Sequence, residues 1–296
     1  MSAVAGALTS PSWRVLQGDA VERLRELPDE SVNCCVTSPP YFGVRDYEVD
    51  GQLGLEATPA AYVAALVAVF AEVRRVLRSD GTLWVILGDF YNNRTVIRPS
   101  SHQAGLGFDS QHLRLRWSDH VANGRVRRTI RDGDLKEKDL LGVPWRVAFA
   151  LRAAAWYLRR DVIWHKPNAM TENVRDRPKG AHEYAFLFSK RGRYFWSERG
   201  YGSVWSIDVQ PFAGEHFATF PPDLAERCVL SSCPEGGAVL DPFAGAGTTG
   251  LVALRSGRSF IGIDLKPEYV QLARTRLLAD PPGLNGPVPS GRSGDG

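Results

Sequence analysis

The sequence offers little cysteine chemistry. Its four cysteines, Cys34, Cys35, Cys228 and Cys233, include no CxxC pair and no histidines at zinc spacing, so buried free thiols are expected and no metal site is. No apolar run approaches the roughly 20 residues that a membrane span needs. Met1 to Pro11 has neither a basic start nor a long apolar stretch, so no membrane partner is expected and the chain reads as cytoplasmic. An excess of either charge is lacking too: 36 Lys and Arg against 33 Asp and Glu leave a formal net charge of +3, too small to name a partner, and any electrostatic argument must be local. No internal repeat is present. What remains is an ordinary globular composition, 44% hydrophobic and 23% charged over 296 residues, enough to bury a core in one large domain or one domain with an insertion.

Short apolar runs rich in Val, Ile, Leu and aromatics predict buried strands at Trp13–Gln17, Val32–Val36, Thr82–Leu87, Tyr184–Phe188, Ala238–Leu240 and Ser259–Ile263. Helical periodicity lies between them, at about Ala20–Leu27, Ala60–Leu77, Pro144–Leu158, Asp223–Ser231, Thr248–Ser256 and Pro267–Leu277. Strand alternating with helix predicts an α/β fold with a mostly parallel sheet. The catalytic domain is expected over 12–280. Two stretches break the alternation. Residues 90–139 lack periodicity and are rich in Gly, Ser, Asp and Arg, the signature of a long insertion. The tail 281–296 is mostly Pro, Gly and Ser and is expected to be disordered.

Near the C-terminal end, the apolar Val239 and Leu240 run into Asp241, Pro242, Phe243, Ala244, Gly245, Ala246, Gly247, Thr248, Thr249 and Gly250. A strand that ends in a glycine-rich turn and opens a helix lets a ligand approach the backbone closely. Gly245, Gly247 and Gly250 also satisfy GxGxxG, which by itself is a weak dinucleotide signal. Too little chain follows for a complete second nucleotide-binding half, and an acid at the turn suits a cationic ligand better than a pyrophosphate. The following strand ends in Asp264, at the spacing for gripping ribose hydroxyls. A tight turn with a capping Asp is the plainer alternative.

In the first half of the chain, Val32–Val36 leads directly into Thr37, Ser38, Pro39, Pro40, Tyr41 and Phe42. Two prolines fix the backbone and remove N–H groups. The result is a small cradle of a hydroxyl, a rigid carbonyl and an aromatic face. Such a cradle can accept both hydrogens of a planar base amine, localise its lone pair and stack the extruded ring. A plain Pro-Pro turn is the alternative for this segment alone.

Together, Ser38-Pro39-Pro40-Tyr41 and the Asp241–Thr249 segment resemble the DNA amino-methyltransferases that modify cytosine N4 or adenine N6, in the permuted order of the β class. Other stretches match as well: Gly18-Asp19 before Leu27–Val32, then Trp164–Asn168, Asp176–Pro178, His182–Tyr184 and His216–Pro221. The resemblance implies a Rossmann-like S-adenosylmethionine-dependent methyltransferase fold, a seven-stranded, mostly parallel and circularly permuted sheet. It makes Ser38, Pro39, Pro40 and Tyr41 catalytic. It assigns Asp19, Phe217, Thr219, Asp241, Pro242, Phe243, Gly245, Gly247, Thr248, Thr249 and Asp264 to S-adenosyl-L-methionine. Double-stranded DNA is the implied partner, with a cognate restriction endonuclease and a homodimer as further options. Carbon-5 chemistry is not expected, because it needs a cysteine nucleophile after a proline, and Cys233-Pro234 has the reverse order.

Within the family, Ser before Pro-Pro-Tyr is commoner among cytosine enzymes, so cytosine N4 is the first reading and adenine N6 the alternative. A nicotinamide-dependent oxidoreductase, which leaves Ser38–Tyr41 unexplained, is a more distant one. A DNA-binding protein without activity would be expected to lose the cradle. RNA or protein are alternative substrates at this level. The insertion is the candidate target-recognition region. Eight arginines lie between Arg94 and Arg131, against Asp109 and Asp119, a density suited to phosphates and guanine edges. The candidate DNA contacts are Arg45, Arg114, Arg116, Arg125, Arg127, Arg128, Lys166, Asn168 and Arg177.

Overall fold

The computed structural model describes residues 11–93, 95–99, 125–127, 129–130, 132–170, 172–210 and 220–280; for 95–99 and 125–127 it describes the backbone alone. Arg114, Arg116, Arg128, Phe217, Thr219 and the tail 281–296 lie outside the described residues.

An eight-stranded sheet forms the middle layer. Its strands are β1 (Trp13–Gln17), β2 (Val32–Thr37), β4 (Leu77–Leu87), β7 (Tyr157–His165), β8 (His182–Ser189), β9 (Val204–Ser206), β10 (Ala238–Asp241) and β11 (Ser259–Asp264), in the order β1-β11-β10-β2-β4-β8-β7-β9. The run from β1 to β4 is parallel, and β8 pairs antiparallel with both β4 and β7. Helices α1 (Ala20–Arg25), α2 (Pro59–Val76) and α3 (Val143–Ala153) cover one face, where Leu24, Leu66, Phe70 and Leu151 are fully buried. Helices α4 (Pro222–Ser232), α5 (Thr248–Arg255) and α6 (Pro267–Ala279) cover the other, with Cys228, Val229, Ala253 and Ala273 fully buried. Neighbouring Cys34 and Cys35 point into opposite layers, as strand alternation requires. All four cysteines are free and buried.

The sheet has eight strands where the resemblance implies seven. The extra one is β9, three residues that pair parallel with the end of β7. It is held because Trp205 is buried and packs its ring 5.6 Å from that of Trp84, while its indole N–H donates to the Gly202 carbonyl at 2.8 Å. Three residues are too short a run for periodicity to reveal. The helix expected over Pro144–Leu158 stops at Ala153, and Tyr157 begins β7. The first half of β7 is largely exposed and carries Arg159, Arg160 and Asp161, so its composition conceals the strand. The insertion is not without structure. β3 (Arg45–Asp46), β5 (Thr95–Pro99) and β6 (Arg125–Arg127) form a three-stranded sheet. Asn92 closes its base: the buried side chain donates to the carbonyls of Ile130 and Lys136 and accepts the Ile130 N–H.

Parallel order puts the carboxyl ends of β1, β11, β10, β2 and β4 on one edge. Because β8 is antiparallel, its first residues reach the same edge, and so does the end of β7. From β10 the chain continues to β11 on one side, whereas β2 leads to β4 on the other, so the crevice between Asp241 and Thr37 is a topological switch point.

Glycine packs the turn and helix that follow β10. A Cβ on Gly250 would stand 2.6 Å from the buried ring of Phe260 and 3.1 Å from Leu277. Gly250→Ala is therefore expected to destabilise the fold by about 1–3 kcal/mol through overpacking. Urea unfolding reads this, and a wild-type midpoint with an unchanged slope would show that α5 does not need the glycine.

Candidate active site

The turn after β10 begins with a carboxylate that is almost wholly removed from water. Asp241 is 2% exposed. One oxygen accepts the Thr37 hydroxyl at 2.6 Å and the Phe243 N–H at 3.1 Å; the other accepts the Thr249 hydroxyl at 2.8 Å. Burial pushes its carboxyl up to about 6, against the three donors that favour the charge. Asp241 therefore ties the end of β2 to the start of α5 behind the wall of the crevice. Thr248 and Thr249 are buried with it. Gly245 and Gly247 take positive φ angles of 50° and 77°, and a Cβ on Gly247 would lie 3.1 Å from that of Ala273. Glycine there serves both the backbone turn and the close approach of α6.

In front of this wall lies one pocket. Asp19, Pro242, Phe243, Gly245 and Asp264 line it, together with Ser38 and Pro40 from the catalytic segment. The turn after β10, the end of β11 and the proline turn after β2 thus share a single cleft. Asp264 accepts the Gly245 N–H at 2.8 Å and the Lys266 N–H at 2.9 Å. Burial raises its carboxyl to about 6, opposed by those two donors and the Lys266 charge. A carboxylate has about four acceptor positions, so two backbone bonds leave capacity for hydroxyl donors. Asp19 caps α1 by accepting the Glu22 N–H at 3.0 Å.

The sequence reading missed the opposite wall, which comes from Tyr47, Val49 and Leu53 in the loop after the proline turn and from Lys266 and Tyr269 at the start of α6. Tyr47 and Tyr269 meet edge to face at 6.0 Å. The signal was available in principle: apolar residues inside a segment marked as loop by Gly43, Gly51 and Gly54 need something to cover. Arg45, expected at DNA, lines this pocket as well.

At the catalytic turn, the Tyr62 hydroxyl donates to the Pro40 carbonyl at 2.9 Å and holds the loop against α2. Ser38 donates to the Tyr41 phenol oxygen across a long 3.5 Å, and Tyr41 donates to Glu183 at 2.7 Å. Burial and the adjacent Glu183 carboxylate raise the Tyr41 phenol well above its ordinary range, so it stays protonated. Gly88, at the end of β4, makes room: a Cβ there would lie 3.0 Å from the Tyr41 ring and 3.3 Å from the Glu183 carboxyl.

Three other expected DNA contacts are engaged within the protein. Lys166 pairs with Glu183 and lies 4.2 Å from the Trp164 ring centroid. Asn168 exchanges two hydrogen bonds with the Val209 backbone, at 2.8 and 2.9 Å. Arg177 stacks 3.8 Å from the Tyr91 ring centroid and faces Asp176 and Glu172. Arg125 and Arg127 lie in β6. Among the described residues no group of three or more His, Cys, Asp or Glu could hold a metal, and no helix is long and apolar enough to cross a membrane.

Comparison with known proteins follows the same outline. A family described as DNA methylase matches residues 32–275. The Type II methyltransferase M.XycI of Xanthomonas campestris pv. cyanopsidis is 46% identical over 277 residues, covering 89% of this chain and 87% of that one. M.Cfr9I of Citrobacter freundii is 44% identical, with 90% and 88% covered. Among solved structures, the Thermus thermophilus protein TTHA0409, complexed with S-adenosyl-L-methionine, aligns with a TM-score of 0.58 at 26% identity over 91% of this chain and 95% of that one. The cytosine-N4-specific PvuII DNA methyltransferase shares the fold, with a TM-score of 0.65 at 21% identity over 91% and 87%.

Thr37→Val keeps the shape of the side chain and removes a donor from the buried Asp241 carboxylate. The expected cost is about 1.5–3 kcal/mol near pH 8. The donor favours the ionised form, so the cost should shrink as pH falls through about 6, where Asp241 takes up a proton. Chemical unfolding at the two pH values checks both size and sign, and equal, negligible losses would remove Asp241 from its tying role.

Proposed function

The chain belongs to the DNA methylase family that matches it over residues 32–275, and from that premise we propose that it methylates the N4 amine of cytosine in double-stranded DNA, with S-adenosyl-L-methionine as donor. The observation that carries this reading is the shared cleft, in which Ser38 and Pro40 line the same pocket as Gly245, Phe243 and Asp264. The pocket residues fit the cofactor. Asp264 retains acceptor capacity for ribose hydroxyls, Tyr47, Val49, Leu53 and Tyr269 supply apolar and aromatic walls, and the carboxylates favour a cation. When bound, the cofactor supplies a methyl group on an electrophilic sulfonium. Family membership sets aside the oxidoreductase reading of the glycine turn.

The residues of this chain do the rest. Tyr41 stacks on the flipped base, Ser38 and the Pro39 carbonyl accept the two amine hydrogens, and the lone pair that these bonds localise points toward the cofactor side of the cleft. Asp241 acts indirectly, by keeping Thr37 and Thr249 together. Ser before Pro-Pro-Tyr, the commoner form among the family's cytosine enzymes, supports cytosine as the base; the hydroxyl itself can accept from either amine. The insertion 90–139 is the proposed DNA-recognition element, with a restriction endonuclease of the same specificity as a functional partner; the relatives' designation as Type II methyltransferases supports that pairing.

Mass spectrometry of nucleosides from DNA treated with the enzyme and labelled cofactor should give N4-methyldeoxycytidine. Label only in deoxyadenosine would overturn the base assignment and leave the amino-methyltransferase; label in neither would overturn both. Ser38→Ala should lower turnover by about 100-fold or more with cofactor affinity intact. A wild-type rate would take Ser38 out of the mechanism.

Cofactor affinity should depend on pH through Asp264. The ionised carboxylate is the better acceptor and its proton binds at about 6, so affinity should fall about tenfold from pH 7.5 to pH 5. Calorimetry should find the Asp264→Asn variant weaker at pH 7.5 and flat across that range. A wild type equally flat would remove Asp264 from the ribose.

Replacing Arg125, Arg127 and Arg128 together with Ala should flatten the log-log salt dependence of DNA binding by about 2–3 units. An unchanged slope would mean that the segment does not contact phosphates.

A further inference from the structure

Resting on the methyl-transfer reading, we propose that Glu183 and Lys166 are positioning residues that set the direction of the Ser38 hydroxyl through Tyr41. The argument follows the hydrogens. An ionised carboxylate can only accept, and both Glu183 oxygens are used: Oε1 by the Lys166 ammonium, Oε2 by the Tyr41 phenol at 2.7 Å. Tyr41 must therefore spend its one hydrogen on Glu183. Its oxygen is left with lone pairs alone, and the neighbouring Ser38 can satisfy them only by donating its own hydrogen. With that hydrogen turned toward Tyr41, the Ser38 lone pairs are free to accept from a base amine. The order runs from amine to Ser38, to Tyr41, to Glu183, every bond pointing toward the carboxylate.

Position supports the assignment. Lys166 follows the end of β7 and Glu183 lies at the start of β8, the places where the antiparallel pair of the main sheet reaches the catalytic edge. Their side chains are 16% and 18% exposed, shielded enough for the pair to keep its geometry. Lys166 is further held over the Trp164 ring. The 3.5 Å between Ser38 and Tyr41 is long for a hydrogen bond, as catalytic contacts often are before substrate arrives. If the pair merely fastened β7 to β8, nothing would require Glu183 to face the catalytic tyrosine, nor Gly88 to lack a side chain where that tyrosine and Glu183 meet.

The test is a double-mutant cycle on the full chain with Glu183→Gln, Tyr41→Phe and the double variant. It measures turnover at saturating DNA and S-adenosyl-L-methionine, the Michaelis constant for DNA, and cofactor affinity by calorimetry. Tyr41→Phe keeps the stacking ring and removes only the relay. Each single variant should lose at least tenfold in turnover, with the Michaelis constant and cofactor affinity within twofold of wild type, and the double should be no slower than the slower single. A wild-type rate for Tyr41→Phe overturns the proposal even if Glu183→Gln does not fold. So does a double variant whose loss is the product of the two singles. Wild-type protein that transfers no methyl to DNA overturns the methyl-transfer reading itself, and this proposal with it.

Discussion

The buried carboxylate of Asp241 is the point on which the two halves of the molecule depend. Strand β10 arrives from the C-terminal part of the chain and β2 from the N-terminal part, and backbone pairing between them covers only Val239 with Cys34 and Leu240 with Cys35. Beyond that short ladder, Asp241 continues the connection with side-chain bonds to Thr37 and Thr249. Removing a carboxylate from water is costly unless donors replace the lost hydration, so its place in the core is tenable only while both hydroxyls and the Phe243 N–H stay put. The same requirement that makes the charge tolerable fixes the turn before Ser38 relative to the turn before α5.

From that fixed point the layout of the cleft follows. A parallel sheet brings strand ends to one edge, and a switch in chain direction opens a crevice there. Because β11 and β2 lie on either side of β10, Asp264 and Ser38 reach the crevice from opposite flanks. The circular permutation changes which half is made first but not which strands are neighbours. Antiparallel β8 then adds what parallel strands cannot: the beginning of a strand, with Glu183, at an edge otherwise built from strand ends.

The parts legible in the sequence were those whose residue type is dictated by backbone geometry. Paired prolines after an apolar strand and glycines before a helix announce turns, and the acid at the end of the next strand, Asp264, lines the same pocket as both turns. The direction of a side chain was not legible. Asp241 reads as an acid suited to a cationic ligand, and its burial against the hydroxyls of Thr37 and Thr249 was not legible, the first of these lying 204 residues away in the chain. Lys166 and Arg177 read as a basic stretch beside DNA, and their intramolecular partners Glu183 and Tyr91, which come from other elements, were not legible. The first half of β7 was hidden because it faces water beyond the reach of β9 and carries Arg159, Arg160 and Asp161 in place of an apolar alternation.

The carboxylates raise a last question of charge, since a cleft that attracts a cationic cofactor also repels the phosphates of DNA. Asp241, Asp264 and Glu183 stand along one edge of the sheet. The first is sealed behind the pocket wall. The second lines the pocket proposed for the cofactor, with two backbone N–H groups on it and the Lys266 charge nearby. Glu183 holds Tyr41 of the proposed base cradle and is the one of the three in a salt bridge with a lysine. An ammonium against a carboxylate leaves a dipole, whose field falls faster with distance than that of a lone charge. On the proposed mechanism, the pairing of Lys166 weakens a repulsive charge beside the place where a flipped base would enter, while the carboxylate still holds Tyr41.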